Sequence, residues 1–181
     1  MDTPPPTDVF KVFLLEDQEL DLALNKRQVR KYRADVLFAS ARNRTEFEAK
    51  LVDFQPDLVV SDYNLPDMNG LDALLYVREH LDGTPFVFVT GVLNDEEKVA
   101  DTILNGASGY ILKENLSRLP EVLERVVDQN RAVLQRREAD WQRRRTNQMT
   151  LQKTIAALRD SELPDRERLT EGLQRVADSI T

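Results

Sequence analysis

Two periodicities alternate along the first two thirds of the chain. Short apolar runs, typical of strands buried on both faces, cover residues 9–15, 36–39, 58–60, 86–89 and 109–112. Stretches with helical spacing lie between them, over 19–32, 45–54, 71–81 and 94–105. In the first stretch Leu20, Leu24 and Val29 are expected to face inward, and in the second Phe47 and Leu51. Five strands, each followed by a helix, predict an α/β fold with a five-stranded, doubly wound parallel sheet.

Turn and cap residues divide the rest of the chain. Residues 1–8 contain three prolines and are expected to form a poorly ordered arm. Asn94 and Glu97 predict the start of the fourth helix. Ser117 can open a fifth helix. Neither Gly nor Pro occurs between Pro120 and Pro164, so this helix can be far longer than the average of about 11–12 residues. We therefore expect a domain over 9–130, a helical extension over 131–162 and a short amphipathic helix over 163–181.

Apolar residues in the helical extension recur at heptad spacing. One seam position holds Leu123, Asn130, Leu151 and Leu158, and the other holds Val127, Leu134, Trp141 and Ile155. Arg137, Arg144 and Gln148 interrupt the seam. The pattern favours a parallel, two-stranded coiled coil and hence a homodimer, with Asn130 selecting the register. The alternative is an amphipathic helix that folds back onto its own domain.

Composition narrows the classes of function. The chain has no cysteine and one histidine, His80, which excludes thiolate chemistry and a His-rich metal site. Residues 1–115 carry 12 basic and 21 acidic side chains, a net charge of −9, and the remainder carries 13 and 11. An acidic body argues against nucleic-acid binding, and Glu138 and Asp140 interrupt the arginines of the tail. No apolar run could span a membrane, so a cytoplasmic protein is expected.

The carboxyl ends of the predicted strands carry polar residues of complementary chemistry. Because parallel strands end at one edge of a sheet, these residues should converge: Glu16, Asp17, Asp62, Thr90 and Lys113. Clustered carboxylates repel one another unless a cation neutralises them, and oxygen ligands suit Mg²⁺. A lysine and a hydroxyl opposite the metal suit a phosphoryl group. Each residue alone has an ordinary explanation, for example that Asp62 caps a turn, but five strand ends together favour a functional site.

Four segments of the chain resemble the receiver domain of two-component response regulators. They are Glu16-Asp17, residues 62–70 (DYNLPDMNG), residues 86–91 (FVFVTG) and residues 106–113 (GASGYILK). The resemblance implies that Asp62 is the phosphoacceptor and that a sensor histidine kinase or a phosphotransfer protein is the donor. It also implies a Mg²⁺ site formed by Asp17, Asp62 and the carbonyl of Asn64, with Glu16 acting through water. Thr90 and Lys113 would bind phosphoryl oxygens, and Thr90 and Tyr110 would form the switch.

Two positions depart from the family pattern. Glu114 stands where a proline usually follows the lysine, so we expect a trans peptide bond and a more pliable loop there. The acidic pair begins with Glu rather than Asp. Neither change removes a residue expected to contact the metal or the phosphoryl group.

Three functions are compatible with this pattern. The first is a phosphorylation-dependent response regulator whose helical tail dimerises and transmits the signal. The second is a scaffold or dimerisation module. Such a module could be a fragment of a larger sensory protein, because residues 157–162 (ALRDSE) look like the junctions that precede sensory domains. The third is an enzyme that acts on phosphate esters. This function is disfavoured because the chain has no cap insertion between these elements that would cover a substrate. The intact set of strand-end residues favours the first.

Overall fold

The computed structural model describes residues 9–81, 83–91, 102–159 and 165–179. Its strands are β1 (Phe10–Leu15), β2 (Val36–Ala41), β3 (Leu58–Ser61), β4 (Phe86–Thr90) and β5 (Gly109–Leu112). Neighbouring strands pair in parallel, and their order across the sheet is β2-β1-β3-β4-β5. The predicted five-stranded parallel sheet is therefore confirmed.

Helices follow β1, β2, β3 and β5 as expected, while most of the helix predicted after β4 lies outside the described residues. These helices are α1 (Glu19–Tyr32), α2 (Arg44–Phe54), α3 (Gly70–His80), a 3-10 helix (Lys113–Arg118), α4 (Leu119–Arg159) and α5 (Arg166–Ser179). The Asn43 side chain caps α2, and a reciprocal pair of bonds between Asn69 and Asp72 caps α3. The predictions for residues 1–8, for the helix start at Asn94 and for the helix end at Pro164 lie outside the described residues.

The sheet separates two apolar layers. Alternate residues of β1 point to opposite sides, so Phe13 packs with α2 and α3, while Leu14 packs with α1 and the first turns of α4. Phe47 and Leu51 of α2 are fully buried, as predicted. Helices on both faces cover the sheet and leave its carboxyl edge to carry polar groups.

The rotation of α1 differs from the prediction. Leu20 is 72% exposed, whereas Leu22, Asn25 and Val29 form the buried face. The predicted set and the buried face share Val29, and the buried face includes the polar amide of Asn25. The apolar pattern alone therefore predicted the wrong buried face for the first turn of α1.

The long helix α4 belongs to two parts of the molecule. A first compact unit ends at Leu134 and a second begins at Gln135. Leu123, predicted on the dimer seam, is instead fully buried in the layer with α1, because the first turns of α4 complete that core. Ile155, at the other end of the seam, is 5% exposed within the second unit. None of the described helices is long and apolar enough to cross a bilayer.

Candidate functional site

Strand register brings the predicted site residues to one edge of the sheet. Leu15 lies opposite Ser61 in the β1–β3 pair, and Thr90 lies opposite Leu112 in the β4–β5 pair. The residues that follow, Glu16, Asp62 and Lys113, therefore leave the sheet at the same edge, with β4 between the strands of Asp62 and Lys113. Backbone bonds hold the first two, because the amide of Glu16 donates to Ala41 at 3.1 Å and the amide of Asp62 donates to Leu15 at 2.9 Å.

Three carboxylates meet at this edge. Glu16, Asp17 and Asp62 each place an oxygen within 4.8 Å of the others. Glu16 is 1% exposed and Asp62 7% exposed, while Asp17 is half-buried. Bringing three negative charges this close in a partly dry site is unfavourable unless cations compensate for it.

Asp62 is held on both of its oxygens. The amides of Tyr63 and Asn64 donate to Oδ1 at 2.6 and 3.2 Å, and the ammonium of Lys113 donates to Oδ2 at 2.7 Å. The hydroxyl of Ser61 donates to the Asp62 carbonyl at 2.6 Å. These contacts fix the carboxylate in a position that opens to the sheet edge.

The loop after Asp62 depends on a glycine. A Cβ at Gly70 would lie 2.8 Å from the Tyr63 Cα and 3.1 Å from the Asp62 carbonyl oxygen, so a side chain there would displace the backbone beside the site. The Gly70 amide donates to the Tyr63 carbonyl at 2.7 Å. Asn64 pairs with Asn69 in an isolated antiparallel bridge and is exposed. The loop is therefore closed on itself, with Asn64 beside the carboxylate cluster.

Lys113 joins the carboxylates through three contacts. Its Nζ donates to Glu16 Oε2 at 2.9 Å, to Asp62 Oδ2 at 2.7 Å and to Asp21 Oδ2 at 2.6 Å. Asp21 did not appear among the residues predicted from the sequence, because it lies in the first turn of α1 rather than at a strand end. The signal in the sequence was weak: Asp21 is an acidic residue in the first turn of the helix that follows the carboxyl end of β1.

The pKa values follow from burial and from these contacts. Burial alone would lower the pKa of Lys113, but the hydrogen bonds to Asp21, Asp62 and Glu16 outweigh it, so the pKa lies above its ordinary value. Burial raises the pKa of Glu16 more than the Lys113 ammonium and the Gln18 amide lower it. Lys113 is therefore a permanent cation in this site, while burial makes the charged form of Glu16 less favourable than in water.

Two buried hydroxyls near the sheet edge have no hydrogen-bond partner within the described structure. They are Oγ1 of Thr90, at the end of β4, and the phenol of Tyr110, on β5. Burial and then the negative charge of Asp62 raise the pKa of Tyr110. Both hydroxyls can therefore donate to a group that enters the site without first breaking another bond.

The segment after Lys113 is a 3-10 helix. No cis peptide bond occurs in the described chain, so the bond between Lys113 and Glu114 is trans, as expected. The predicted pliable loop is instead a short helical segment that leads directly into α4 at Leu119.

The cluster has the chemistry of a Mg²⁺ site. Mg²⁺ prefers oxygen ligands at about 2.0–2.1 Å, so two oxygens bound to the same ion lie roughly 3–4 Å apart. The three carboxylates, all within 4.8 Å, come close to that spacing and require only small side-chain movements. The donor set therefore fits the ion that the sequence predicted, with Asp17 as the most exposed of the three carboxylates.

Known proteins resemble this chain over the same region. A probable C4-dicarboxylate response regulator of Bacillus subtilis is 31% identical over 117 residues, which are 64% of this chain and 51% of the relative. The nitrate/nitrite response regulator protein NarL of Escherichia coli is 33% identical over 105 residues, 57% of this chain and 47% of the relative. The chain thus spans about half the length of these curated relatives.

Solved structures show the same fold. A CheY-like receiver domain protein from Methanospirillum hungatei has a TM-score of 0.60 at 25% identity and covers 69% of this chain and 98% of its own. The receiver domain of an HD domain-containing protein from Pseudomonas fluorescens has a TM-score of 0.61 at 21% identity and covers 75% and 99%. Residues 12–124 match the family described as response regulator receiver domain. The strand-end site and these matches agree, and the chain belongs to the response regulator receiver domain family.

Proposed function

We propose that this receiver domain takes up a phosphoryl group on Asp62 and passes the resulting change to the helical tail. The observation that carries the proposal is the convergence of Asp62, two further carboxylates and the Lys113 ammonium at one sheet edge. The donor is the phosphohistidine of a sensor histidine kinase or of a phosphotransfer protein, in keeping with the response regulators among the relatives.

The transfer forms one bond and breaks one. A carboxylate oxygen of Asp62 attacks the phosphorus while the bond between phosphorus and the donor nitrogen breaks, and the imidazole leaves with that electron pair. Asp17, Asp62, the Asn64 carbonyl and, through water, Glu16 would hold Mg²⁺, which would neutralise charge on the phosphoryl oxygens. The amides of Tyr63 and Asn64 hold Asp62 in place for the attack.

Lys113 and Thr90 bind the phosphoryl group once it has arrived. Lys113 already contacts Asp62, so a small shift brings its ammonium to a phosphoryl oxygen. The Thr90 hydroxyl is buried without a partner and gains a hydrogen bond by turning to the same group. A movement of Thr90 would free space for the Tyr110 side chain, and this pair forms the proposed switch.

The switch lies close in sequence to the long helix. Tyr110 belongs to β5, which continues through Lys113 and the 3-10 helix into α4. A rigid helix passes on a displacement of its root, which a flexible linker would lose. We propose a receiver domain over residues 9–130 and a helical extension over 131–162 that forms a parallel homodimer.

The structure limits where such a dimer can form. Leu123 is committed to the receiver core and Ile155 is covered within the chain, while Leu134 and Leu151 are only half-buried. The middle of α4 is thus the part left for a second copy. The convergence of three carboxylates and the Lys113 ammonium supports an active site over the alternative, a scaffold module with an inactive site. The matches cover about half of each relative's length, so we transfer no output of the whole relatives to this chain.

Mass spectrometry tests the phosphoacceptor directly. The intact protein is incubated with Mg²⁺ and acetyl phosphate, whose phosphoryl group reaches Asp62 as the acetate leaves. We expect one added phosphoryl group in the wild type, none in Asp62→Asn and none when EDTA replaces Mg²⁺. Asp67→Asn is the matched control, since Asp67 lies in the same loop but binds the Arg44 amide, and it should take up phosphate normally. Undiminished uptake by Asp62→Asn would refute the assignment.

A further inference from the structure

Lys113 uses all three of its N–H donors in the described structure. A lysine ammonium has three donors and no acceptor, and here they go to Glu16, Asp21 and Asp62. Two of these partners belong to the carboxylate cluster that fits Mg²⁺. Among the three, Asp21 is the partner that the metal cluster does not include. A metal ion would therefore compete with Lys113 for Glu16 and Asp62 but leave its contact with Asp21 intact.

We propose that Asp21 is a positioning residue for Lys113. Asp21 holds the ammonium of Lys113 when a metal ion binds Glu16 and Asp62, and it must release the ammonium to an incoming phosphoryl group. This inference rests on the proposed function of Asp62. Nothing in the motifs of the family assigned a role to Asp21, which enters here only through its 2.6 Å contact with Lys113.

The local geometry gives Asp21 enough influence for this role. Its contact with Lys113 is the shortest of the three, and the two side chains are 30% and 22% exposed. A partly buried, charge-assisted hydrogen bond is stronger than an exposed ion pair. Because Asp21 lies in the first turn of α1, the helix backbone holds its carboxylate at a fixed position relative to Lys113.

Removing the Asp21 charge should weaken metal binding. Mg²⁺ and Lys113 are both cations that bind the carboxylates of Glu16 and Asp62, so the ion and the ammonium compete for these two groups. Without Asp21 the displaced ammonium loses the one carboxylate among its three described partners that lies outside the metal cluster. The site also loses one negative charge that attracts the ion.

The same change should strengthen the binding of a phosphoryl group. Lys113 no longer has to leave Asp21 to contact a phosphoryl oxygen, and one negative charge that repels the anion is gone. The two effects have opposite signs for the two ligands. General loss of structure would weaken both, so the opposite signs distinguish positioning of Lys113 from a merely structural role.

Calorimetric titration of the full chain tests this pair of effects. The first ligand is Mg²⁺ alone, and the second is beryllofluoride at saturating Mg²⁺, whose BeF₃ group takes the place of a phosphoryl group on a carboxylate. In Asp21→Asn we expect Mg²⁺ binding to weaken about threefold to tenfold and beryllofluoride binding to tighten by a similar factor.

Two further variants serve as controls. Asp21→Glu keeps the carboxylate and should remain within about twofold of the wild type for both ligands. Asp35→Asn removes one charge at an exposed position between α1 and β2 and should change both affinities by less than about twofold. Thermal melting shows whether each variant is folded, and Asp21→Ser replaces Asp21→Asn if the latter is not.

The outcomes separate this inference from the proposed function. If the wild type binds beryllofluoride but Asp21→Asn leaves both affinities unchanged, or shifts both in the same direction, the inference on Asp21 is wrong and the proposed function stands. If neither Asp21→Asn nor Asp21→Ser folds, Asp21 is structural and the inference is wrong. If the wild type itself binds no beryllofluoride with Mg²⁺, both the inference and the proposed function are overturned.

Discussion

At the scale of single residues, the hydroxyl of Tyr110 lowers the stability of the fold. Its hydroxyl is buried without a partner, and a buried polar group without a hydrogen bond is destabilising. Tyr110→Phe should therefore raise the free energy of unfolding at neutral pH by about 0.5–1 kcal/mol, less than for a fully buried side chain because Tyr110 is only half-buried. Urea denaturation measures the change.

The same variant has a defined pH dependence. Burial, with the charge of Asp62, raises the pKa of Tyr110 in the folded state, so the folded protein resists ionisation of the phenol. Wild-type stability should therefore fall as the pH rises above about 10, where the unfolded tyrosine ionises, and Tyr110→Phe should lose less over that range. Tyr32→Phe is the control at neutral pH, where it should bring no gain. A loss of stability in Tyr110→Phe at neutral pH would show that the hydroxyl is bonded.

The polar site residues could be predicted because their positions depend on topology. Once the apolar runs define five parallel strands, Glu16, Asp62, Thr90 and Lys113 must share one edge, whatever the details of packing. Asp21 could not be found in this way, because its contact depends on how α1 is rotated about its axis. That rotation is set by packing against the sheet and α4.

At the scale of elements, α1 shows why the rotation was missed. Leu22, Asn25 and Val29 follow helical spacing, whereas Leu20 and Val29 are nine residues apart, about half a turn around the helix axis, and cannot lie on one face. The prediction followed apolar residues and passed over Asn25, a polar residue that the structure buries at 2% exposure. In α2, Phe47 and Leu51 are four residues apart and lie on one face, so their burial was predicted correctly.

The root of α4 is the element that connects the receiver to the tail. Leu123 and Val126 are fully buried against the layer that contains α1, and a Cβ at Gly109 would lie 3.2 Å from Val126 Cγ2. The first turns of α4 therefore pack tightly on β5, the strand that carries Tyr110. A shift of β5 cannot occur without moving this helix.

Replacement of Leu123 tests whether that residue serves the core or a dimer seam. Leu123→Ala should lower the free energy of unfolding by about 2–4 kcal/mol, because it leaves a cavity in the core. Met149→Ala, at a position of the same helix that is 50% exposed, should change it by less than about 0.5 kcal/mol. Urea denaturation of both variants provides the comparison. If Leu123→Ala kept its stability but lost self-association, the seam interpretation of Leu123 would be restored.

At the scale of the whole molecule, some heptad positions of α4 that were predicted to face a second copy are already buried within one chain. The pattern ran from Leu123 to Leu158, yet one end is receiver core and Ile155 near the other is covered within the second unit. A heptad pattern shows which positions are apolar but not which surface covers them. Within one chain the Asn130 side-chain amide donates to the Val126 carbonyl of its own helix at 2.8 Å, and its role in selecting a register between two helices stays a prediction.

The proposed homodimer is tested by comparing the full chain with a truncation after Leu134, where the first compact unit ends. Light scattering at tens of micromolar protein, the range in which a coiled coil of a few turns can associate, should find the full chain dimeric and the truncated chain monomeric. The truncated chain retains the sheet and the site, so it should still take up phosphate from acetyl phosphate.

Phosphorylation should then shift the dimer equilibrium of the full chain but not the oligomeric state of the truncated one. A useful switch needs a coupling free energy of only about 1–3 kcal/mol between the two events, which is about 5- to 150-fold in the dimer dissociation constant. A monomeric full chain would exclude the dimer proposal. A truncated chain that dimerises as well as the full one would move the contact from the middle of α4 to the surface of the receiver, and the tail would then need another role.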